Sequence, residues 1–224
     1  MRGWLNAPRT ENPYRRCSSL LVENRFLIDF TRMAEEMLPD GVKPKIILYT
    51  HSHGDHYDPE AAVKLGIEHV YLQRGWLEDA RKDFTRAVNK HQGTMPEFHP
   101  LDVGVKFKLG EYEILPLPGN HWTGKPHEQA LIYKVSKQCR DGAVRLLYAT
   151  DTSGLMSYVY FHGFTPEEPM TAVIMEATGY PGMRFGGLNV SHSTADVVHD
   201  IFTTYLRPGE NGRYLPPSGH PSCR

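Results

Sequence analysis

Apolar positions along this chain follow two different periods. From Ser18 to Phe30 they fall into two short runs broken at Glu23-Asn24, the text of a β-hairpin. Thr31 to Leu38 reads as a short helix closed by Pro39-Asp40-Gly41, and Lys45 to Tyr49 as a buried strand. Asp58 stands where an N-cap belongs, with Pro59 at the first helical position, so Glu60 to Leu65 should be helical. His69 to Leu72 gives the next strand. Between Arg74 and Lys90, Trp76, Leu77, Ala80, Phe84, Ala87 and Val88 recur at helical spacing above a charged opposite face. After Glu97 the text changes to short β segments around 105–108, 112–117, 129–135, 144–149 and 171–176, separated by Gly, Pro and Asp turns. Ser193 to Leu206 restores helical spacing through Val197, Val198, Ile201, Phe202 and Tyr205, and Arg207-Pro208-Gly209 ends it. Two sheets with helices in both halves predict a layered α/β (α+β) architecture. With no repeat and no linker, we expect one domain over residues 1–224.

Composition narrows the classes without naming a partner. The 224 residues are 40% hydrophobic and 23% charged, with a formal net charge of −1, which lacks the basic field of most nucleic-acid binders. Cys17, Cys139 and Cys223 are odd in number and far apart, so neither a disulfide framework nor a thiolate zinc site is expected. The first residues carry no apolar signal-peptide core, and no run approaches the roughly 20 apolar residues of a membrane span. The expectation is a soluble cytoplasmic protein.

The chemistry concentrates in Thr50-His51-Ser52-His53-Gly54-Asp55-His56-Tyr57-Asp58, directly behind the strand Ile46-Ile47-Leu48-Tyr49. In an extended segment His51 and His53 project from the same side, and Gly54 allows a tight turn that swings Asp55 and His56 toward a neighbouring position. Imidazole and carboxylate are ligands that zinc accepts, and a mixed set of this kind is catalytic in style. His-x-His-x-Asp-His behind a buried strand resembles the signature of the metallo-β-lactamase fold hydrolases. That resemblance implies an αββα sandwich, two sheets face to face with helices outside and metals at one sheet edge. The chain begins almost at its first hairpin and ends soon after its last helix, so the sandwich is expected to be truncated at both ends or divergent.

Other candidates are placed by both the residues and the resemblance. His121 follows the strand Tyr112–Leu117 and the turn Pro118-Gly119-Asn120, and resembles the family's third metal motif. Asp151 ends the run Arg145–Thr150, where a carboxylate must be paired, capped or metal-bound; it matches the family's bridging aspartate, or else starts the turn Thr152-Ser153-Gly154. Glu176-Ala177-Thr178 and Ser191-His192-Ser193-Thr194 look like the His-Ser-Thr motif of the tRNA 3′-processing ribonucleases and their phosphodiesterase relatives, although Ser193 or Thr194 can also cap the following helix. His220 is the remaining candidate for the family's last ligand, in text that does not read as a central strand. Structural roles are expected for His69, His91, His99, His162 and His199. His127, Trp122 and Tyr57 are read as bordering a pocket.

The resemblance implies a hydrolase with one or two zinc ions, manganese being the alternative. His51, His53 and His121 would hold one ion, Asp55 and His56 the other, with Asp151 bridging and His220 the final ligand. Asp55 would also orient the attacking water, and His192 would protonate the leaving oxygen. A small-molecule or nucleotide phosphodiester is the preferred substrate. A thioester or lactone hydrolase of the same fold, or a non-enzymatic metal-binding protein, are the alternatives. Family members with a di-iron centre carry Glu where this chain has His53.

Overall fold

The structure is a computed structural model and describes residues 18–140, 142–164, 168–177 and 192–205. It divides into two compact units, residues 1–101 with 126–128 and residues 102–125 with 129–224.

The first unit carries a five-stranded sheet in chain order, β1 (Leu20–Val22), β2 (Phe26–Ile28), β3 (Ile46–Leu48), β4 (His69–Gln73) and β5 (Glu97–Leu101). The expected hairpin is β1 and β2, paired antiparallel from Leu20↔Ile28 to Val22↔Phe26. Every later pairing is parallel. Parallel neighbours need crossovers, and α1 (Arg32–Glu35), α2 (Pro59–Leu65) and α3 (Leu77–His91) supply one between each successive pair. Along β4, Val70 and Leu72 are fully buried while His69, Tyr71 and Gln73 on the other face are not. Below the helices Tyr57 packs edge-on against Tyr49 at 4.9 Å and Trp76 at 5.0 Å. Tyr57 is therefore a core residue rather than a pocket wall. Burying a large side chain of this kind is worth about 1.5–3 kcal/mol.

The second unit carries β6 (Phe107–Leu109), β7 (Tyr112–Pro118), β8 (Leu131–Cys139), β9 (Gly142–Ala149) and β10 (Ala172–Met175), ordered β10-β9-β8-β7-β6. All neighbours are antiparallel except β9 and β10, whose crossover contains α4 (Ser157–Gly163). The last helix, α5, spans Ala195–Tyr205. The protein is thus mixed α/β with two sheets and several helices, as the metallo-β-lactamase type of fold requires. Among the described residues no helix is long and apolar enough to cross a membrane.

Two elements were not expected from the sequence. β5 contains Pro100, which normally argues against a strand, but β5 lies at the sheet edge, where a missing N–H is tolerated. α4 carries Tyr158, Val159, Tyr160 and Phe161, residues of strand propensity, and its Val159 is fully buried in a cluster with Leu115, Leu117, Ile132 and Leu147.

The helix after the histidine motif begins as its residues predict. Asp58 Oδ1 accepts the Ala61 N–H at 3.1 Å, Pro59 opens α2, and Gly66 closes it in the left-handed region at φ 79. Asp58 Oδ2 accepts from Arg32 Nε at 2.8 Å. Burial pushes the Asp58 carboxyl up, but the Ala61 amide and the Arg32 guanidinium together outweigh it and hold the group below its ordinary value. Asp58→Ala should cost about 0.5–2 kcal/mol in urea denaturation at neutral pH, and Asp58→Asn less, since the amide still caps. A depressed folded-state pKa gives stability that is present above the unfolded value of 3.8 and lost as pH falls through the folded one. The wild-type advantage over Asp58→Asn should therefore vanish in acid, and an advantage that persists there would show that the carboxylate charge is not its source.

Candidate metal centre

In the first unit, one buried carboxylate organises the histidine motif. Asp29 follows β2 with φ 55 and is fully buried. Its Oδ1 accepts the Thr50 N–H at 2.7 Å, and its Oδ2 accepts the Thr50 hydroxyl and His56 Nδ1, each at 2.7 Å. Burial pushes the Asp29 carboxyl up, against the pull of His56 and of the Thr50 donors. Because the Thr50 hydroxyl proton is directed at Asp29, its oxygen is left to accept from His51 Nδ1 at 3.0 Å. Both imidazoles are thereby set in the tautomer that presents Nε2.

The motif loop then turns on itself. His53 O accepts the N–H of His56 at 3.0 Å and of Tyr57 at 2.9 Å, one helical turn that sends Asp55 outward and His56 inward. Gly54 has no positive φ, and a Cβ placed there would meet nothing within 4 Å. The tight turn is present, and helical hydrogen bonding rather than a left-handed glycine makes it. The His51 ring centroid lies 4.7 Å from that of His53 and 4.3 Å from that of His56. Asp55 Oδ2 lies 4.0 Å from His56 Nε2. Glu128 holds the other side of the loop, accepting Ser52 N at 2.7 Å and Ser52 Oγ at 2.6 Å.

In the second unit three loops meet. Gly119 N donates to Ala130 O, which fixes the exit from β7 and delivers His121 with its side chain 1% exposed. Asp151 follows β9 at φ 49, and its Oδ2 lies 4.0 Å from His121 Nε2. Asn120 N donates to Thr152 Oγ1 at 3.0 Å, and Ser153 N to Asn120 O at 2.9 Å, so these two loops are tied together. The third loop brings His192, whose ring centroid is 5.3 Å from that of His121. Glu176 receives His192 Nδ1 at 2.7 Å through Oε2 and Thr152 N at 2.8 Å through Oε1. Ser193 Oγ donates to Thr152 O and accepts from Gly154 N at 2.9 Å. Asp151, Glu176 and His192 each offer a ligand atom within 4.8 Å of the other two.

Within each unit the structure thus gathers the residues picked out from sequence, His51, His53, Asp55 and His56 in one and His121, Asp151 and His192 in the other. Ser193 and Thr194 are buried and precede α5, but the bonds of Ser193 run to the 152–154 loop as well, so it ties loops together. His220 lies outside the described residues. His127 does not join these groups; it is half exposed and pairs with Asp79 at 3.2 Å. Asp29 and Glu128 went unnoticed in the sequence. Asp29 ends a buried strand, the same signal that drew attention to Asp151, whereas nothing in the text around Glu128 marks it. His51 and His56, oriented through Nδ1 by buried oxygen acceptors, with the Asp55 carboxylate beside them, are a donor set that fits a divalent metal of the zinc class.

Residues 25–199 match the family described as Beta-lactamase superfamily domain, a span that runs through both units. No curated protein matches significantly. Among solved structures, the metallo-beta-lactamase fold protein YhfI from Bacillus subtilis aligns at TM-score 0.58 with 17% identity, covering 81% of this chain and 70% of that one. Zn(2+)-bound PqqB from Methylobacterium extorquens aligns at TM-score 0.53 with 12% identity over 71% of this chain and 59% of its own. CmlA, a diiron beta-hydroxylase from Streptomyces venezuelae, aligns at TM-score 0.52 with 17% identity over 81% of this chain and 39% of its own. At these identities the likeness concerns the fold alone, and the chain spans well under two thirds of the latter two proteins.

Asp29→Asn keeps the shape of the buried group but removes the carboxylate that orients His56. Divalent-metal affinity should fall by about 10–100-fold while circular dichroism stays unchanged, read by competition with a chromophoric chelator. Unaltered affinity would make Asp29 a brace for the loop only.

Proposed function

The chain belongs to the beta-lactamase superfamily, and from that premise we propose that it is a metal-dependent hydrolase acting on phosphodiesters, of the branch that includes the tRNA 3′-processing ribonucleases and cyclic phosphodiesterases. The proposed ligands are His51, His53, Asp55, His56, His121 and Asp151, with zinc the preferred ion and His220 the candidate for a last ligand. A bound divalent ion would supply a nucleophile at neutral pH by lowering the pKa of water from about 15.7 to about 7.

The observation that carries the substrate class is the pair Glu176–His192. A carboxylate on Nδ1 stabilises the imidazolium and leaves Nε2 to hold a proton. His192 is one third exposed, so that proton can reach a substrate atom. In phosphodiester hydrolysis one P–O bond forms with water and another breaks, and the departing alkoxide needs a proton. His192 Nε2 donates it, Glu176 steadies the charge, and the Ser193–Thr152 contacts keep the loop from moving. Asp55, exposed at the turn, is suited to accept the proton of the attacking water. A thioester leaves as a thiolate with less demand for such an acid, which is why the phosphodiester is preferred over it.

His53→Ala should remove the metal of this centre and abolish hydrolysis while leaving the fold intact, because this loop side chain contributes little to the core. Metal per chain by mass spectrometry, together with circular dichroism, checks this, and full metal retention would remove His53 from the ligand set.

His192→Ala should keep its metal and lose about 10²–10⁴ in turnover on an alkyl phosphodiester. On a nitrophenyl phosphodiester, whose leaving group needs little protonation, the loss should be far smaller. Equal losses on both substrates would reject the general-acid role, and lost metal would make His192 a ligand. Activity confined to thioesters or lactones would overturn the substrate class.

A further inference from the structure

A second cluster of ligand-type side chains lies in the first unit, on strands that the proposed hydrolytic centre does not use. β4 and β5 run parallel in the register His69↔Glu97 and Tyr71↔His99. Side chains two apart on a strand share a face, so this register places His69 beside Glu97 and His99 beside Tyr71, all on one side of the sheet. His69 Nδ1 lies 3.1 Å from His99 Nε2 and 3.5 Å from Glu97 Oε2, and His99 Nε2 lies 3.9 Å from Glu97 Oε1. The Tyr71 ring stacks on His99 at 4.4 Å and 15°, which fixes the plane of that imidazole.

We propose that His69, Glu97 and His99 form a separate zinc-class metal site that fastens the edge strand β5 to β4. Donors about 2.0–2.1 Å from a tetrahedral zinc stand about 3.3 Å from one another. The two nitrogens stand 3.1 Å apart, each near a different oxygen of Glu97, and one ligand atom from each of the three residues lies within 4.8 Å of the other two, so the donors converge within reach of a single ion. Two imidazoles and one carboxylate also occur together as a zinc ligand set, with a fourth position left for water.

The site is distant from the histidine motif within the same unit. His69 pairs with Ile46 at the start of β3, five residues before His51. That is roughly 16 Å of extended chain, toward the opposite end of the sheet. Its expected role is structural. β5 is an edge strand with a single neighbour and a proline at position 100, so it forms fewer ladder bonds than an interior strand. A metal held by one residue of β4 and two of β5 replaces part of that missing cohesion.

The test uses the full chain and zinc alone, with binding followed by calorimetry and metal per chain by mass spectrometry. In His51→Ala/His53→Ala protein, which lacks the proposed hydrolytic ligands, one zinc equivalent should still bind and raise the melting temperature. Adding His99→Gln, or Glu97→Gln at an exposed position with no demand on folding, should remove that equivalent and the thermal shift. His99→Gln alone should cost the wild-type chain one equivalent and leave its hydrolysis unchanged. Identical zinc binding with and without His99→Gln would overturn the proposal. If the hydrolytic centre itself were misassigned, activity would survive His53→Ala, yet His99→Gln would still remove one equivalent, so the two ideas fail separately.

Discussion

The structure of the histidine motif depends on the burial of one carboxylate. Asp29 is fully removed from water, and a group so placed has to be met by donors or it costs several kcal/mol. Its donors are the Thr50 amide, the Thr50 hydroxyl and His56 Nδ1, so satisfying Asp29 fixes the backbone at the exit of β3, the hydroxyl that orients His51, and the tautomer of His56. The link joins the ends of two neighbouring parallel strands. Register therefore matters to chemistry here: a slip of one residue between β2 and β3 would turn Asp29 away from Thr50 and leave both sides unsatisfied.

The second unit solves the same problem with Glu176. This carboxylate also accepts one backbone amide, that of Thr152, and one imidazole Nδ1, that of His192. In each unit an acidic side chain ties a histidine to the loop that follows a strand, so that a rigid sheet sets the position of a polar group on an otherwise adaptable segment. The two histidines differ in surroundings. His56 is 1% exposed, which suits a ligand shielded from competition by water, while His192 keeps 32% of its side chain accessible, which suits proton exchange with a substrate.

His69 and His99 show how far strand pairing can change the meaning of a residue. Read along the chain, 30 residues separate them and each is an isolated histidine. The parallel pairing of β4 with β5 makes them neighbours and adds Glu97. Metal chemistry favours such places because sheet register holds donors in position before any ion arrives, which reduces the ordering cost of binding.

By itself the sequence determined the mixed α/β class, the hairpin, the capped start of α2, the amphipathic α3 and the motif at the end of β3. These rest on local rules: side-chain period, the Asp58-Pro59 cap, and four metal-competent residues close together. The same text pointed to His121 and Asp151 because each follows a strand. Only the tertiary structure decided that Asp29 and Glu128 brace the motif loop, that Tyr57 belongs to the core, and that Gly54 is not required for the turn. It also decided that Pro100 lies in a strand and that residues 157–163 form a helix. Each of these depends on which segments are neighbours in space, through a hydrogen bond spanning many residues, an edge position in a sheet, or a buried valine in a helix of strand-forming residues. Local propensity carries no record of such partners.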